Sequence, residues 1–229
     1  MTRTLDSLSH GPTAGVYAPQ ADSRFLIDVM SRTVDLSGRS VLDLCTGSGV
    51  VAIAAAQRGP AAVTAVDICP RAVRCARFNA SVAGVDVDVR VGTHRSALRC
   101  GPFDVVLTNP PYVPVSPDDH QEPLPESIGP PSAWNAGSDG RLVLDPICDS
   151  AADLLAAGGT MLIVQSEFAD PARTLRRLRS GGLRAAPAAA KQVPFGPVLR
   201  ARAGWLERTG VLTRGRRVEQ LVVIRADKP

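Results

Sequence analysis

Residues 109–112, Asn-Pro-Pro-Tyr, directly follow the apolar run FDVVLT and combine groups that could hold a planar nitrogen. The side-chain oxygen of Asn109 and the carbonyl oxygen of Pro110 are two acceptors, which suit the two N–H donors of a flat amine or amide. Consecutive prolines restrict the backbone, so the direction of that carbonyl is set in advance. Tyr112 could stack on the flat group. The alternative is a stiff turn that ends a strand, because Asn-Pro is a common turn opener.

A second group of candidate residues lies in the sequence VLDLCTGSG, at residues 41–49. Gly47 and Gly49 let the backbone approach a ligand closely, and the N-terminus of a following helix favours negative charge. Asp67 ends the next apolar run, and an acid about 20 residues beyond a glycine-rich turn typically binds ribose hydroxyls. Ala52 stands where a dinucleotide motif would have its third glycine. The pattern therefore predicts a ligand that contains a nucleoside, but not a standard dinucleotide site.

Both groups need a framework that brings the ends of several strands together. Apolar runs alternate with helical patterns along the chain, which predicts a parallel sheet with helices on both faces and no interdomain linker. The carboxyl ends of such strands meet at one edge of the sheet, where ligands bind. The predicted strands cover residues 39–44, 62–66, 85–91, 103–108, 160–165 and 220–225, with one more strand after residue 182. The predicted helices cover residues 50–57, 71–82, 141–157, 171–180 and 197–208, and Gly158-Gly159 is expected to end the third of them.

The composition excludes several classes of protein. The 229 residues suit one large domain, and a hydrophobic content of 45% suits a chain that buries a core. No apolar stretch reaches the length of about 18 residues that a membrane span needs, and the N-terminus has no secretory pattern. The five cysteines show no paired spacing, which predicts reduced thiols in a cytoplasmic protein. No metal site is expected, because the three histidines do not cluster with the cysteines.

The charge is unevenly distributed along the chain. Residues 170–229 contain 14 Lys and Arg against 4 Asp and Glu, whereas the whole chain has a formal net charge of +4. This basic C-terminal part could bind nucleic acid or an acidic partner, or its arginines could simply solvate helix faces. The arginines considered for partner contact are Arg200, Arg202, Arg208, Arg214, Arg216 and Arg217.

The motifs resemble those of class I S-adenosylmethionine-dependent methyltransferases, and more narrowly the HemK/PrmC-type glutamine N5-methyltransferases, which modify the GGQ tripeptide of peptide release factors. The segments that carry the resemblance are VLDLCTGSG, AVDICPRAV, FDVVLTNPPYVP and residues 15–30 and 132–145. The resemblance covers nearly the whole chain, without the N-terminal helical domain with which the bacterial enzymes grip their substrate. It implies S-adenosylmethionine as cofactor and a Rossmann-like, seven-stranded, mostly parallel sheet whose last strand is antiparallel.

The resemblance also implies a role for individual residues. Asn109, Pro110 and Tyr112 would hold the nitrogen that is methylated. Residues 1–38 would close over the cofactor, and residues 113–140 would form the substrate loop. The residues that would contact the cofactor are Tyr17, Gln20, Asp22, Ser23, Asp43, Cys45, Gly47, Gly49, Asp67, Ile68, Thr93 and Asn109.

Two residues depart from the family pattern. Cys45 stands where the family usually has glycine, which a small residue could tolerate. Thr93 stands where the family often has an aspartate that accepts the adenine amine. The Thr93 hydroxyl could replace that acceptor, and the neighbouring His94 is a second candidate, although an exposed loop position is expected for it. Trp134 is expected to be a packing residue rather than a platform for stacking a base. Ser138-Asp139-Gly140 is expected to be a turn and helix N-cap before Arg141, or a wall of the site.

Residues 1–229 are therefore predicted to form one methyltransferase domain that methylates a planar amide or amine nitrogen. The leading acceptor is a glutamine side chain in a protein. A nucleobase exocyclic amine and a small-molecule amine are the alternatives within the enzyme class. A non-catalytic module that binds S-adenosylmethionine and acts through its basic C-terminal part is the alternative outside it.

Overall fold

One sheet organises the computed structural model, which describes residue 16, residues 18–116 and residues 130–229. Seven strands in these ranges form it: β1 (Ser40–Leu44), β2 (Ala62–Asp67), β3 (Asp88–Val91), β4 (Phe103–Thr108), β5 (Leu155–Ser166), β6 (Arg184–Pro194) and β7 (Val218–Asp227). Their order is β3-β2-β1-β4-β5-β7-β6. The first five strands are parallel, and β7 runs antiparallel between β5 and β6. The predicted mostly parallel sheet with an antiparallel last strand is confirmed.

The strand register places the candidate residues at one edge. Leu44 at the end of β1 lies opposite Val66 of β2 and Thr108 of β4. Asp67 lies opposite Val91 at the end of β3. Because all of these strands are parallel, the turns that follow them open on the same side of the sheet. The glycine turn, Asp67 and Asn109 are therefore neighbours although they are far apart in sequence.

Seven α-helices in the described ranges flank the sheet: α1 (Ala21–Thr33), α2 (Val50–Ala56), α3 (Pro70–Ala83), α4 (His94–Ala97), α5 (Leu144–Leu154), α6 (Pro171–Ser180) and α7 (Pro197–Arg208). The strand order moves outward from β1 to β3 and then returns through β4 to β5. Since parallel crossovers are right-handed, this reversal puts the first helices and α5 on opposite faces. Accordingly, α1, α2 and α3 contact one another in series, and so do α4, α5 and α6. Helices on both faces are confirmed.

Three parts of the helix and strand prediction are wrong. α1 and α4 were not predicted, and the strand expected at 85–91 forms only over Asp88–Val91. The helix expected at 141–157 is shorter, and Gly158-Gly159 lies inside β5 instead of ending that helix. The backbone of Lys228 exchanges hydrogen bonds with both glycines, and its Nζ donates to the carbonyl oxygens of Ala152 and Leu155 at 2.7 and 2.8 Å. The hydrogen bonds of Lys228 thus help to hold residues 155–159 in the sheet.

The cysteines and the helix lengths bear on two further expectations. All five cysteines are free thiols, as their spacing predicted. Within the described ranges, none of the helices combines the length and the apolar character needed to span a bilayer.

Candidate functional site

A cavity of about 280 Å³ lies at the carboxyl edge of the sheet. The turns after β1, β2, β3 and β4 contribute to its wall, and Val16, Pro19 and the start of α1 close it on the N-terminal side. Val143, just before α5, and Ile147, within α5, add apolar side chains to the wall. The predicted site residues that line this cavity are Asp22, Ser23, Asp43, Cys45, Gly47, Asp67, Ile68, Thr93, Asn109, Pro110 and Tyr112.

Two predicted site residues, Gln20 and Gly49, lie outside the wall of the main cavity. Gln20 lines a smaller neighbouring cavity of about 50 Å³, which it shares with Asp22, Tyr112 and Glu219. Gly49 is not in the wall of the main cavity. Tyr17 lies outside the described residues, as does the central part of the predicted substrate loop.

The two glycines of the turn after β1 serve different purposes. Gly47 has a φ of +56°, and a Cβ built on it would meet no atom within 4 Å, so this backbone faces open space. Gly49 has a φ of +85°, and its Cβ would lie 2.9 Å from the Cβ of Ala76 on α3. Gly47 therefore leaves room for a ligand, whereas Gly49 lets α2 and α3 pack closely.

Cys45 also adopts a left-handed conformation, with a φ of +59°. Such a conformation suits glycine and is unfavourable for other L-residues, which gives a physical reason for the glycine that the resemblance expects here. Burial raises the pKa of the Cys45 thiol, and the carboxylates of Asp67 and Asp43 add to this. The side chain is therefore a protonated thiol in the cavity wall and not a thiolate nucleophile.

Asp43 fastens the glycine turn to the end of β1. Its Oδ2 accepts hydrogen bonds from the Thr46 hydroxyl at 2.6 Å and from the backbone N–H of Ala52 at 3.1 Å. The side chain is almost fully buried, and burial raises the pKa of Asp43 to about 7 although these two hydrogen bonds oppose the shift. The first role of Asp43 in this structure is to hold the conformation of the turn.

Asp67 joins the turns that follow β1 and β2. Its Oδ2 accepts from the backbone N–H of Gly47 and its Oδ1 from that of Cys69, each at 2.8 Å. Burial raises the pKa of Asp67, and these two hydrogen bonds oppose that effect. Each carboxylate oxygen keeps a second lone pair, so Asp67 can accept two further hydrogen bonds in the cavity. Ile68, next to it, exposes 61% of its surface, which is a suitable platform for a flat ring.

Thr93 and His94 lie at the start of α4. The Thr93 hydroxyl caps this helix by accepting from the backbone N–H of Arg95 at 3.3 Å. His94 is the first residue of α4 and lines the cavity, so the expectation of an exposed loop position is wrong. Burial lowers the pKa of His94, and the charge of Arg95 adds to the shift. A neutral imidazole can accept a hydrogen bond, and both residues therefore remain available as acceptors.

Asp22 and Ser23, near the start of α1, hold the Asn-Pro-Pro-Tyr segment by hydrogen bonds. Asn109 Nδ2 donates to the Ser23 hydroxyl at 3.1 Å. The Tyr112 hydroxyl donates to Asp22 Oδ2 at 2.8 Å. The amide oxygen of Asn109 is not used in this contact with α1, and Asn109 and Pro110 line the cavity. The segment is more than a turn that ends a strand, because hydrogen bonds to α1 orient two of its side chains.

The opposite side of the Tyr112 backbone contacts the turn at residues 137–140. Gly140 has a φ of +73°, and a Cβ built on it would lie 2.5 Å from the carbonyl oxygen of Tyr112. Asp139 Oδ1 accepts from the backbone N–H of Arg141 at 3.1 Å, so the predicted turn is confirmed. The predicted helix cap is not, because α5 begins at Leu144.

Arg141 anchors this turn to α5, to α6 and to the segment that follows β5. Its buried guanidinium forms an ion pair with Asp145 at 2.7 Å and donates to the Thr174 hydroxyl at 3.0 Å. It also donates to the backbone carbonyl oxygens of Ala169 and Asp170. Sequence inspection missed this residue, because its partners on the loop after β5 and on α6 are distant in sequence.

Trp134 is a packing residue, as predicted, and it also forms part of the cavity wall. The indole is buried, with 8% of its surface exposed. The guanidinium of Arg202 lies 5.2 Å from its ring centroid, within cation–π range. Arg202 is itself 3% exposed, so its assignment as a partner contact is wrong.

Several other arginines of the basic C-terminal part form hydrogen bonds or ion pairs within the chain. Arg200 donates to the carbonyl oxygen of Phe195 at 2.9 Å, while Arg208 and Arg214 are exposed. Acidic residues from several elements neutralise much of the local charge, which favours the interpretation that these arginines solvate and pair on helix faces. These ion pairs include Arg173–Asp145, Arg177–Asp149, Arg216–Glu167, Arg217–Glu207 and Arg225–Asp227.

Comparisons with known proteins agree with this geometry. Residues 13–121 match the family model of the methyltransferase small domain. The chain is 32% identical over 180 residues to a Methanocaldococcus jannaschii protein named as a protein N5-glutamine methyltransferase, with 79% of this chain and 87% of the relative covered. It is 39% identical over 125 residues to the release factor glutamine methyltransferase of Deinococcus radiodurans, with 54% and 44% covered. The chain thus spans less than half of that bacterial enzyme.

Two solved structures show the same fold at low sequence identity. One is the Encephalitozoon cuniculi (E. cuniculi) Mtq2–Trm112 complex, which is responsible for methylation of the eRF1 termination factor; its TM-score is 0.63 at 22% identity, over 94% of this chain and 99% of the other. The other is the Thermus thermophilus (T. thermophilus) 16S rRNA N2 G1207 methyltransferase in complex with AdoMet and guanosine, with a TM-score of 0.56 at 16% identity, over 93% and 44%.

The sheet order, the glycine turn and the acid after β2 define a class I methyltransferase that uses S-adenosylmethionine as methyl donor. Within that class, the chain belongs to the HemK/PrmC family of protein N5-glutamine methyltransferases.

Proposed function

We propose that this protein transfers the methyl group of S-adenosylmethionine to the side-chain amide nitrogen of a glutamine in a protein substrate. One observation carries the proposal: Asn109 and Pro110 line the same cavity as the glycine turn and Asp67. An acceptor nitrogen held at Asn109 would therefore lie beside the place where a nucleoside-bearing methyl donor fits.

The cofactor assignments follow from the chemistry of the cavity wall. Asp67 has acceptor positions left for ribose hydroxyls, and Ile68 presents an exposed apolar surface for the adenine ring. Gly47 leaves open space for the methionine part, next to Asp43 and Cys45. Thr93 or His94 would accept the adenine amine. When bound, S-adenosylmethionine supplies an electrophilic methyl group on a sulfonium.

The Asn-Pro-Pro-Tyr segment, residues 109–112, would act as a clamp on the acceptor nitrogen, and this clamp would let a poorly nucleophilic amide react. The Asn109 side-chain oxygen and the Pro110 carbonyl oxygen would each accept one N–H of the acceptor, which favours positive charge on nitrogen as the N–C bond forms. The bound S-adenosylmethionine would supply the methyl group by cleavage of its C–S bond, and one N–H proton would leave to solvent. Positioning two reactants in this way can contribute about 7–11 kcal/mol, so no side-chain nucleophile is needed.

The choice of a protein glutamine rests on the relatives. The archaeal relative, 87% of which is covered, is named for N5-glutamine methylation of protein, and the Deinococcus radiodurans relative for the release factor glutamine. A Streptomyces pristinaespiralis relative, 32% identical over 163 residues, is named for methylation of 4-amino-L-phenylalanine, which keeps a small-molecule amine as the second candidate. A nucleobase amine is less favoured, because many arginines of the basic C-terminal part already form ion pairs within the chain. A cytoplasmic location would suit both a release-factor substrate and the five free thiols.

Mass spectrometry after incubation with S-adenosylmethionine and a purified release factor tests the proposal. Wild type should add one methyl group to a glutamine, and Asn109→Ala should abolish transfer while cofactor binding persists. RNA and small amines serve as competing acceptors. Methylation of RNA instead, with binding that weakens steeply with salt, would refute the protein glutamine as substrate.

Asp67→Ala tests the cofactor assignment by calorimetry. Loss of even one hydrogen bond to a charged acceptor costs about 1.5–3 kcal/mol, so the Kd for S-adenosylmethionine should rise about 10- to 100-fold. Asp88→Ala, an exposed acid on the neighbouring strand β3, is the matched control and should bind normally. An unchanged Kd for Asp67→Ala would remove this residue from the ribose site.

A further inference from the structure

We propose that Asp22 and Ser23, at the start of α1, are positioning residues that set which end of the Asn109 amide faces the methyl acceptor. The resemblance assigned both residues to the cofactor pocket. The proposal rests on the proposed function, since it concerns the same acceptor site, but it names residues whose task is to orient the clamp.

Ser23 contacts the side-chain amide of Asn109. The Ser23 hydroxyl lies 3.1 Å from Asn109 Nδ2, although the two residues are 86 positions apart in sequence. An amide side chain can rotate by half a turn with little change of shape, and the rotated form would present N–H donors to the acceptor instead of an oxygen. That form could not accept a hydrogen bond from the acceptor nitrogen.

A serine hydroxyl alone cannot decide between the two orientations, because it can donate or accept. Asp22 decides between them. Its Oδ1 lies 3.4 Å from the Ser23 hydroxyl and can only accept, so the Ser23 proton is directed to Asp22. The Ser23 oxygen is then left as an acceptor, and the group that fits it is Asn109 Nδ2. The chain of hydrogen bonds therefore runs from Asn109 through Ser23 to Asp22.

Asp22 is held in place by two stronger contacts. Its Oδ1 accepts from the backbone N–H of Ser23 at 2.6 Å, and its Oδ2 accepts from the Tyr112 hydroxyl at 2.8 Å. Asp22 and Ser23 are 7% and 8% exposed, so solvent competes little for these hydrogen bonds. One carboxylate thus orients both the amide and the aromatic ring of the Asn-Pro-Pro-Tyr segment.

Nuclear magnetic resonance can test this orientation without any acceptor. The sequence contains three asparagines, Asn79, Asn109 and Asn135, so selective ¹⁵N-asparagine labelling of the full chain yields three side-chain NH₂ pairs. In Ser23→Ala the chemical shifts of the two Asn109 NH₂ protons should change, and these protons should exchange faster with solvent. The Asn79 pair should stay unchanged, because Asn79 Nδ2 donates to the Ser48 carbonyl oxygen at 2.8 Å, away from α1.

Turnover provides the second readout. Ser23→Ala should lower kcat about tenfold or more with an S-adenosylmethionine Kd within twofold of wild type, and Ser23→Thr, which keeps a hydroxyl, should restore most of the rate. Ser23→Ala should have no further effect in an Asn109→Ala background. Ser31→Ala is the matched control, because that hydroxyl donates to the Ile27 carbonyl oxygen on the same helix.

The outcomes separate this proposal from the proposed function. An unchanged Asn109 pair in Ser23→Ala would overturn the positioning role, and so would a shifted pair with unchanged kcat. An increase in the cofactor Kd with normal kcat would return Ser23 to the cofactor site. If the pair shifts but wild type methylates no protein glutamine, the positioning role stands and the proposed acceptor is refuted.

Discussion

Gly140→Ala should damage both the stability and the activity of this protein through one contact. An alanine at a φ of +73° costs about 1–2 kcal/mol, because the left-handed region is unfavourable for an L-residue. Its Cβ would also lie 2.5 Å from the Tyr112 carbonyl oxygen. Overpacking of this kind costs about 1–3 kcal/mol, so the free energy of unfolding should fall by about 3 kcal/mol in denaturant titrations.

The same clash predicts the effect on activity. The two backbones must separate by at least about 0.5 Å, because real Cβ contacts essentially never fall below 3.0 Å, and this displaces Tyr112 and the neighbouring clamp. Since a misplacement of about 1 Å can cost 100-fold in rate, kcat should fall about tenfold in a methyl-transfer assay.

Gly182→Ala separates the clash from the effect of φ. Gly182 has a φ of +84°, and a Cβ built on it would meet no atom within 4 Å. This control should lose about 1–2 kcal/mol of stability and keep its kcat. Equal losses of stability in the two variants, or a normal kcat in Gly140→Ala, would refute the idea that Gly140 positions Tyr112.

Two further predictions concern stability. Burial raises the pKa of Glu219 from 4.5 to about 7. Between these two pH values the folded state keeps a proton that the unfolded state releases. The stability that this group contributes is therefore fully present below pH 4.5 and is lost as the pH rises through 7. Relative to Glu219→Gln, wild type should lose about 3 kcal/mol between pH 4 and pH 8, and parallel stability–pH curves would contradict this. Cys45→Gly should change the free energy of unfolding by less than about 1 kcal/mol, because relief of the positive φ offsets the entropy cost of glycine. Cys45→Val should lose about 2 kcal/mol, and a normal Tm for Cys45→Val would show that the turn relaxes.

Local sequence patterns were sufficient to predict a helix or a turn wherever residues at its own ends determine where it begins and ends. α6 and α7 were predicted at their observed bounds, because Pro171 and Pro197 start them and a glycine pair or a threonine follows. The glycine turn and the acid after β2 were found for the same reason, since strand, turn and helix follow one another along the chain. These short-range features indicated the fold and the methyl donor.

The tertiary structure decided how the acceptor side is assembled. The contacts of Asn109 with Ser23 and of Tyr112 with Asp22 span 86 and 90 residues, and no periodicity in the sequence encodes them. The same holds for the contact of Gly140 with Tyr112. Sequence inspection could identify the Asn-Pro-Pro-Tyr segment because its chemistry is local. The orientation of its side chains was decided only when the sheet placed α1 and the turn before α5 on either side of it, because hydrogen bonds and close packing between distant segments exist only in the folded chain.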